Sequence, residues 1–275
     1  MKPLILCLAP VRPEMSHDKF VSYTFPNDVK EFVDLCDKLY KKGGLSMVEL
    51  GPNISFLHRG GDNEGYIKRY RDMLVELRER CPDLLYMINY FQVKSKSLSI
   101  SEELLFPFPD RSVVSFYVNS YYKDGKRYNI DHSEILESIE VWKKKGMIVV
   151  PIISTPDDIN FLNYLIENNL LLHRPLVLFE FSGSGNLEPS PENYTVIKNM
   201  VEVQVDIIVA CEGQYWDKLA RIAIVNGDHV RIGLKDSIAF QSNEYYYDKA
   251  LGIAGAFGRS VANLYDLKKI LNLNT

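Results

Sequence analysis

Apolar residues fall in short, nearly unbroken runs along this chain: PLILCLA (3–9), LSMVEL (45–50), LLYMINY (84–90), SVVSFYV (112–118), MIVVPII (147–153), LVLFEF (176–181), VDIIVAC (205–211) and HVRIGL (229–234). The segments between them place apolar residues three to four apart, as in DVKEFVDLCDKLYKKG, GYIKRYRDMLVELRERCP, HSEILESIEVWKKKG, DDINFLNYLIENN, PENYTVIKNMV and YWDKLARIAIVNG, and predict amphipathic helices. Asn27-Asp28 and Asp131 supply N-terminal stop signals, and Gly43 and Gly146 supply C-terminal ones. A continuous apolar run, unlike an alternating one, suits a parallel strand covered on both faces. Eight such runs alternating with helices predict a (β/α)8 TIM barrel, here a single domain over 1–275. SNEYYYDKALGIAGAFGR and NLYDLKKILNL predict closing helices, and SISEELLFPFPDRS, the weakest unit, leaves room for a short helix at most.

Composition agrees with a packed domain: 46% of the residues are hydrophobic and 25% charged. A formal net charge of −4 without a basic stripe argues against nucleic acid as a partner. Cys7, Cys36, Cys81 and Cys211 are far apart and lack CxxC spacing, which predicts buried free thiols in a reducing compartment. MKPLILCLAPVRP is broken by proline too early for a signal peptide, and no run approaches the ~18 apolar residues of a membrane span. The expectation is a cytoplasmic protein.

A TIM barrel carries its chemistry at the C-terminal ends of its strands. That rule selects Arg12 and Glu14 after the first strand, Glu49 after the second, Asn89 after the third, and Asn119 and Ser120 after the fourth. The loop SGSGN (182–186) follows the sixth strand, Glu212 the seventh, and Lys235 and Asp236 the eighth. Arg231, Gly233 and Lys235 share parity, so they face one side. A lysine and an arginine directed into one lumen need carboxylates there, and Glu14, Glu49 and Asp236 are the candidates.

KPLILCLAPVRPE at the start, GDHVRIGLKDS, and SNEYYYDKALGIAGAFGRSVANLYDLKKIL near the end resemble the β-keto acid cleavage enzymes, over nearly the whole chain. The resemblance implies an oligomeric zinc-dependent barrel that cleaves a small β-keto acid with acetyl-CoA as co-substrate, giving acetoacetate and a new acyl-CoA. Members of that family end their second strand in His-x-His and write their eighth as Arg-x-Gly-x-Glu-Asp, the histidines and the glutamate holding zinc. Here the histidine positions carry Glu49 and Gly51, Asn53 replaces the arginine that follows them, and Lys235 replaces the glutamate. Catalytic zinc requires three donor side chains, which this set does not supply, so the expectation is a protein without a metal site. His58 is the nearby residue from which a site would be rebuilt. Arg231 and Asp236 match the family's arginine and catalytic aspartate, and Glu14 matches the acid that holds a substrate amino group. Asn89 and Ser120 fall where small hydroxyl residues border the substrate.

Three roles for Lys235 follow. It fills the metal's space and pairs with Glu49 as a structural plug; it polarises a keto oxygen as an ammonium; or, as a free amine, it forms a Schiff base that drains electrons during C–C cleavage. Asp236 is either a general base or the carboxylate that orients Arg231, which in turn would bind a substrate carboxylate. The catalytic candidates are therefore Lys235, Asp236, Glu49 and Arg231, with Glu14, Asn89, Ser120 and Arg231 binding substrate. The function expected is C–C bond cleavage or formation on a small β-keto acid; the alternatives are a non-catalytic metabolite-binding barrel and the family reaction on a rebuilt metal site. SGSGN is a plain turn or a weak phosphate or CoA cradle. Tyr245, Tyr246 and Tyr247 predict packing or an oligomer contact, and His17, His132 and His173 lack ligand spacing.

Overall fold

The structure, a computed structural model, describes residues 1–10, 26, 28–50, 63–90, 108–123, 126–171, 174–182, 187–236 and 241–271. In chain order these form β1 (Leu6–Leu8), α1 (Val29–Gly43), β2 (Met47–Glu49), α2 (Asn63–Arg80), β3 (Leu85–Asn89), β4 (Ser112–Tyr117), β5 (Ser120–Lys123), β6 (Lys126–Asn129) and α3 (His132–Lys144). There follow β7 (Ile148–Ile153), α4 (Asp158–Glu167), β8 (Leu176–Phe181), α5 (Pro191–Met200), β9 (Asp206–Cys211), α6 (Trp216–Val225), β10 (His229–Ile232), α7 (Asn243–Ala256) and α8 (Leu264–Ile270). Eight strands close into a barrel in the order β1-β10-β9-β8-β7-β4-β3-β2, every neighbouring pair parallel. This is the (β/α)8 TIM barrel expected from the runs. Asp28 caps α1 by accepting from Glu31 N at 2.8 Å, and Asp131 caps α3 by accepting from Ser133 N at 2.9 Å.

The unbroken apolar runs are explained by two faces that are both dry. Leu6, Leu8, Val48, Ile88, Val114, Phe116, Val177 and Phe179 pack outward beneath the helices. Cys7, Met47, Met87, Val113, Val150, Leu178 and Ile208 point the other way and fill the lumen as one cluster. The lumen is thus plugged with side chains at mid-height, and polar groups occupy only its two ends.

At the N-terminal end Asp206, fully buried, is paired with Lys2 and lies 2.7 Å from Arg174 Nε. His229 Nδ1 accepts from Ile5 N at 2.8 Å, while Nε2 stands 3.7 Å from Asp206 Oδ1. Arg259, 4% exposed, donates to the carbonyls of Lys2, Pro3, Ile224, Gly227 and Asp228, and ties the segment after α7 across this end.

One element departs from the sequence pattern. After β4 the chain makes an antiparallel hairpin, β5–β6, with Tyr121 opposite Tyr128 and Tyr122 opposite Arg127. The hairpin hides from a search for apolar runs because β6 is exposed along its length. The signal in the sequence is the dipeptide Asp-Gly at 124–125, between YYK and KRY, which is favoured in hairpin connections; the dipeptide itself lies outside the described residues. SISEELLFP (99–107) lies outside the described residues, and Pro109–Arg111 form a single short 3-10 turn before β4.

The buried histidine predicts acid lability. Burial lowers the pKa of His229 to about 4, against ~6.5 for a free histidine. The unfolded chain therefore binds the extra proton between those values, and stability falls as pH drops through that window by about 3 kcal/mol. Burial alone would raise Asp206, but His229 and Lys2 outweigh it and hold it at about 2, so a further loss follows below the ordinary carboxylate range. Urea unfolding at a series of pH values should show this slope, and His229→Asn, which keeps an acceptor for Ile5 N, should flatten the upper part of it.

Candidate active site

Three strand ends and one turn assemble a buried charge cluster at the C-terminal end of the lumen. Lumen-facing parity runs through Met47 to Glu49 on β2, through Leu176 and Leu178 to Glu180 on β8, and through His229 to Arg231 on β10. The chain then leaves the sheet at Gly233, whose φ is +124°. A Cβ there would stand 2.4 Å from Ala9 O, so only glycine allows β10 to peel away so close to the end of β1. The turn that follows is pinned by Lys235 N donating to Ala9 O at 3.1 Å, Leu234 N to Asn243 Oδ1 at 3.0 Å and Gly213 N to Asp236 O at 2.7 Å.

Arg231, 1% exposed, is the hub of the cluster. Its Nε donates to Asp236 Oδ2 at 2.8 Å and its Nη2 to Asp236 Oδ1 at 2.6 Å; Nη1 donates to Glu49 Oε2 at 3.0 Å and Nη2 to Glu180 Oε1 at 2.9 Å. Four of the five guanidinium N–H groups are thereby engaged by three carboxylates. Lys235 Nζ donates to the second oxygen of Glu49, and at 9% exposure this lysine is more accessible than Arg231, Glu49, Glu180 or Asp236. Tyr117, at the end of β4, donates to Glu180 Oε2 at 2.8 Å.

These contacts decide the protonation states. Burial pushes Glu49 up, but Lys235 and Arg231 outweigh it and hold its carboxyl below the ordinary range. Burial dominates at Asp236 and raises it despite Arg231. The Tyr117 hydroxyl is driven well up by burial and then by Glu180, so it stays a donor. The Cys7 thiol is likewise pushed up by burial and Glu49, and stays neutral beneath the cluster.

The structure brings together Glu49, Arg231, Lys235 and Asp236 from the sequence candidates. Lys235 and Asp236 lie in the turn after β10, not on the strand, which ends at Ile232. That correction explains how both reach the lumen: strict alternation would have turned Asp236 away from Arg231. Asn89 is 1% exposed at the end of β3, on the lumen side above Met87. Ser120 is not in the cluster: its Oγ accepts from Arg127 Nε at 3.0 Å, and it alternates with Tyr121, which stacks on Tyr117. Glu14, Gly51, Asn53, His58, His17, His173 and most of SGSGN lie outside the described residues. His132 is exposed, stacked on Phe161 with ring centroids 3.7 Å apart. Of the tyrosine run, Tyr247 is buried and donates to Leu39 O and Gly44 O, Tyr246 packs on Trp216, and Tyr245 is exposed.

Sequence inspection passed over Glu180 and Tyr117. Each stood inside an apolar run counted as core, and the available signal was one carboxylate in LVLFEF with the parity of the lumen.

The donor set implied for zinc does not fit here. Of positions 49, 51 and 235, one is glycine, one carries an ammonium donor, and both oxygens of Glu49 already accept from Lys235 and Arg231. Among the described residues no group of three or more His, Cys, Asp or Glu side chains could hold a metal ion.

The ion pair predicts strong energetic coupling. Lys235→Met leaves Glu49 short of one counter-charge, and Glu49→Gln leaves Lys235 without its partner, so each should cost about 3–5 kcal/mol. The double variant Glu49→Gln/Lys235→Met should lose well under the sum in urea unfolding; additive losses would show that the pair is not coupled.

Comparison with known proteins places the barrel. The family model of the beta-keto acid cleavage enzymes matches residues 55–273. The 3-keto-5-aminohexanoate cleavage enzyme of Acetoanaerobium sticklandii is 24% identical over 102 residues, which span 35% of this chain and only 37% of that enzyme. Among solved structures, the apo structure of ObcA superposes with a TM-score of 0.63 at 10% identity, over 91% of this chain and 66% of that one. The 3-dehydroquinate dehydratase of Geobacillus kaustophilus gives 0.55 at 10% identity, over 94% and 93%. These two likenesses are of fold. The family match extends over well more than half of the sequence, and the chain belongs to the beta-keto acid cleavage enzyme family.

Proposed function

We propose that this barrel cleaves or exchanges the acyl group of a small β-keto acid, with Lys235 in place of a metal ion. The observation that carries this is the contrast between the two cations. Arg231 is buried and has four N–H groups committed to protein carboxylates, whereas Lys235 has one N–H on Glu49 and is the more exposed of the two cations. A β-keto acid carries its keto and carboxylate oxygens in a 1,3 relation, so one ammonium with two further N–H groups bridges both. Donation to the keto oxygen draws electron density from the C–C bond to be broken, the electronic work otherwise done by a Lewis acid. Arg231 then serves as the scaffold of the carboxylates rather than as the grip on the substrate. Asp236 is the proton-transfer group, since burial moves it toward the working range of a general base while Glu49 stays ionised as the partner of Lys235. Asn89, on the lumen side, and Glu14, on the first loop, remain the residues proposed to orient the substrate. Acetyl-CoA as co-substrate, a homo-oligomeric state and a cytoplasmic setting extend the family's pattern to this chain.

A Schiff base at Lys235 is the covalent form of the same proposal: Nζ passes its proton to Glu49, attacks the keto carbon, and water leaves. The second reading, a barrel that binds a metabolite without turning it over, draws on the mutual saturation of Lys235, Glu49 and Arg231.

Turnover of a panel of β-keto acids, with and without acetyl-CoA, separates these. Product formation should occur in metal-free buffer and survive chelation, and Lys235→Met should reduce kcat/KM at least ~100-fold. Activity should fall as pH drops through the raised pKa of Asp236, because the base must be ionised, and Asp236→Asn should abolish that limb. Stoichiometric zinc that leaves with activity would overturn the metal-free mechanism, and a wild-type protein inactive on the whole panel would leave the binding role. Borohydride with a keto acid should add mass at Lys235 only if the covalent form operates.

A further inference from the structure

The hairpin β5–β6 is not needed to close the barrel, yet it is joined to the charge cluster by aromatic contacts. It leaves the sheet at the end of β4, where the lumen is polar. Tyr117 and Tyr121 stack with ring centroids 6.0 Å apart and planes 25° from parallel, and Tyr121 and Tyr128 stack at 5.3 Å and 14°. Tyr121 and Tyr128 are direct cross-strand partners, so both rings lie on one face of the hairpin, the face toward Tyr117. The ladder runs from exposed Tyr128 (40%) to the Tyr117 hydroxyl on Glu180. One end is rooted in the cluster and the other in an element that only the loop after β4 supplies.

We propose that Tyr117 is a positioning residue, held by the tyrosine ladder of the hairpin, that fixes Glu180 and through it the orientation of Arg231 and Asp236. Each oxygen of Glu180 has one donor: Oε1 takes Arg231 Nη2 and Oε2 takes the Tyr117 hydroxyl. Among the described residues Glu180 contacts Tyr117 from β4 and Arg231 from β10; Arg231 also holds Glu49 from β2 and Asp236 from its own turn, and Glu49 holds Lys235. Its partner on β9, Ala210, carries no polar side chain, and Ser154, which follows β7 in register with Glu180, has its hydroxyl on Asp158 Oδ2 at 3.3 Å, so neither substitutes for the Tyr117 hydroxyl. Without that donor the Glu180 carboxylate leans more heavily on Arg231, and Arg231 holds Asp236 in its ionised form less strongly. The hydroxyl is thus a neutral side-chain donor to the cluster's carboxylates, and it tunes the base three contacts away without touching substrate.

The catalytic part of this inference rests on the reaction proposed above; its structural part does not, and two measurements keep them apart. Tyr117→Phe retains the ring and its stacking and removes only the hydroxyl. It should lower kcat about tenfold with KM little changed and move the acid limb of the profile upward by about one pH unit. Tyr121→Leu, which leaves the hydroxyl and Glu180 in place but removes the clamp, should move the limb in the same direction. A Tyr117→Phe profile that superposes on the wild type overturns the positioning role. Independently of any substrate, Tyr117→Phe should lower Tm by about 4 °C in the wild-type background and much less in Glu180→Gln. Equal losses in both backgrounds overturn the proposal, because the hydroxyl then acts by packing and not through Glu180. If the wild type turns over no β-keto acid, the proposed reaction fails and the stability cycle alone decides the inference.

Discussion

A guanidinium buried at the centre of a closed barrel is tolerable only if its hydrogen-bonding capacity is consumed by carboxylates, and the upper half of this molecule is arranged around that requirement. Arg231 takes Asp236 from its own turn, Glu49 from β2 and Glu180 from β8. None of these carboxylates would be stable at its depth alone, and Arg231 would not be stable without them. The cluster is therefore a collective object. It braces strands on opposite sides of the barrel and forces the chain beyond β10 into one path, for which Gly233 leaves just enough room against Ala9.

That arrangement gives a physical account of how the proposed reaction would run on a protein cation. Lys235 sets a covalently tethered cation against the carboxylate at the end of β2. Lys235 pairs with Glu49, and the carboxylate that faces it also braces Arg231. The chemistry open to such a cation is hydrogen-bond donation from a flexible stem.

Much of the fold was legible because its cause is local. Unbroken apolar runs demand two dry faces, and the alternation with amphipathic segments leaves little besides a parallel barrel. Strand ends were less legible: Asp236 belonged by parity to the wrong side, and only the turn at Gly233 brings it to Arg231. Ser120 appeared at a strand end by position, but the hairpin turns its hydroxyl to Arg127. Glu180 was hidden because a single carboxylate in an apolar run has no meaning until the strand across the lumen is known.

From the sequence alone come the barrel, its order of strands and helices, and the presence of charged residues at the ends of β2 and β10, since period and burial are properties of neighbours along the chain. Which charges meet is settled by closure of the sheet. Glu49 and Arg231 are separated by nearly the length of the barrel in sequence, and Glu180 and Tyr117 come from strands with no hint of partnership, yet a ring of strands with a common parity sets all four on one layer. Lys235 was visible in the sequence as a lysine where the resemblance led one to expect a glutamate. Its meaning, an ammonium paired with Glu49 above a saturated Arg231, exists only in the folded lumen, where the absence of bulk water makes every charge answer to its nearest counter-charge.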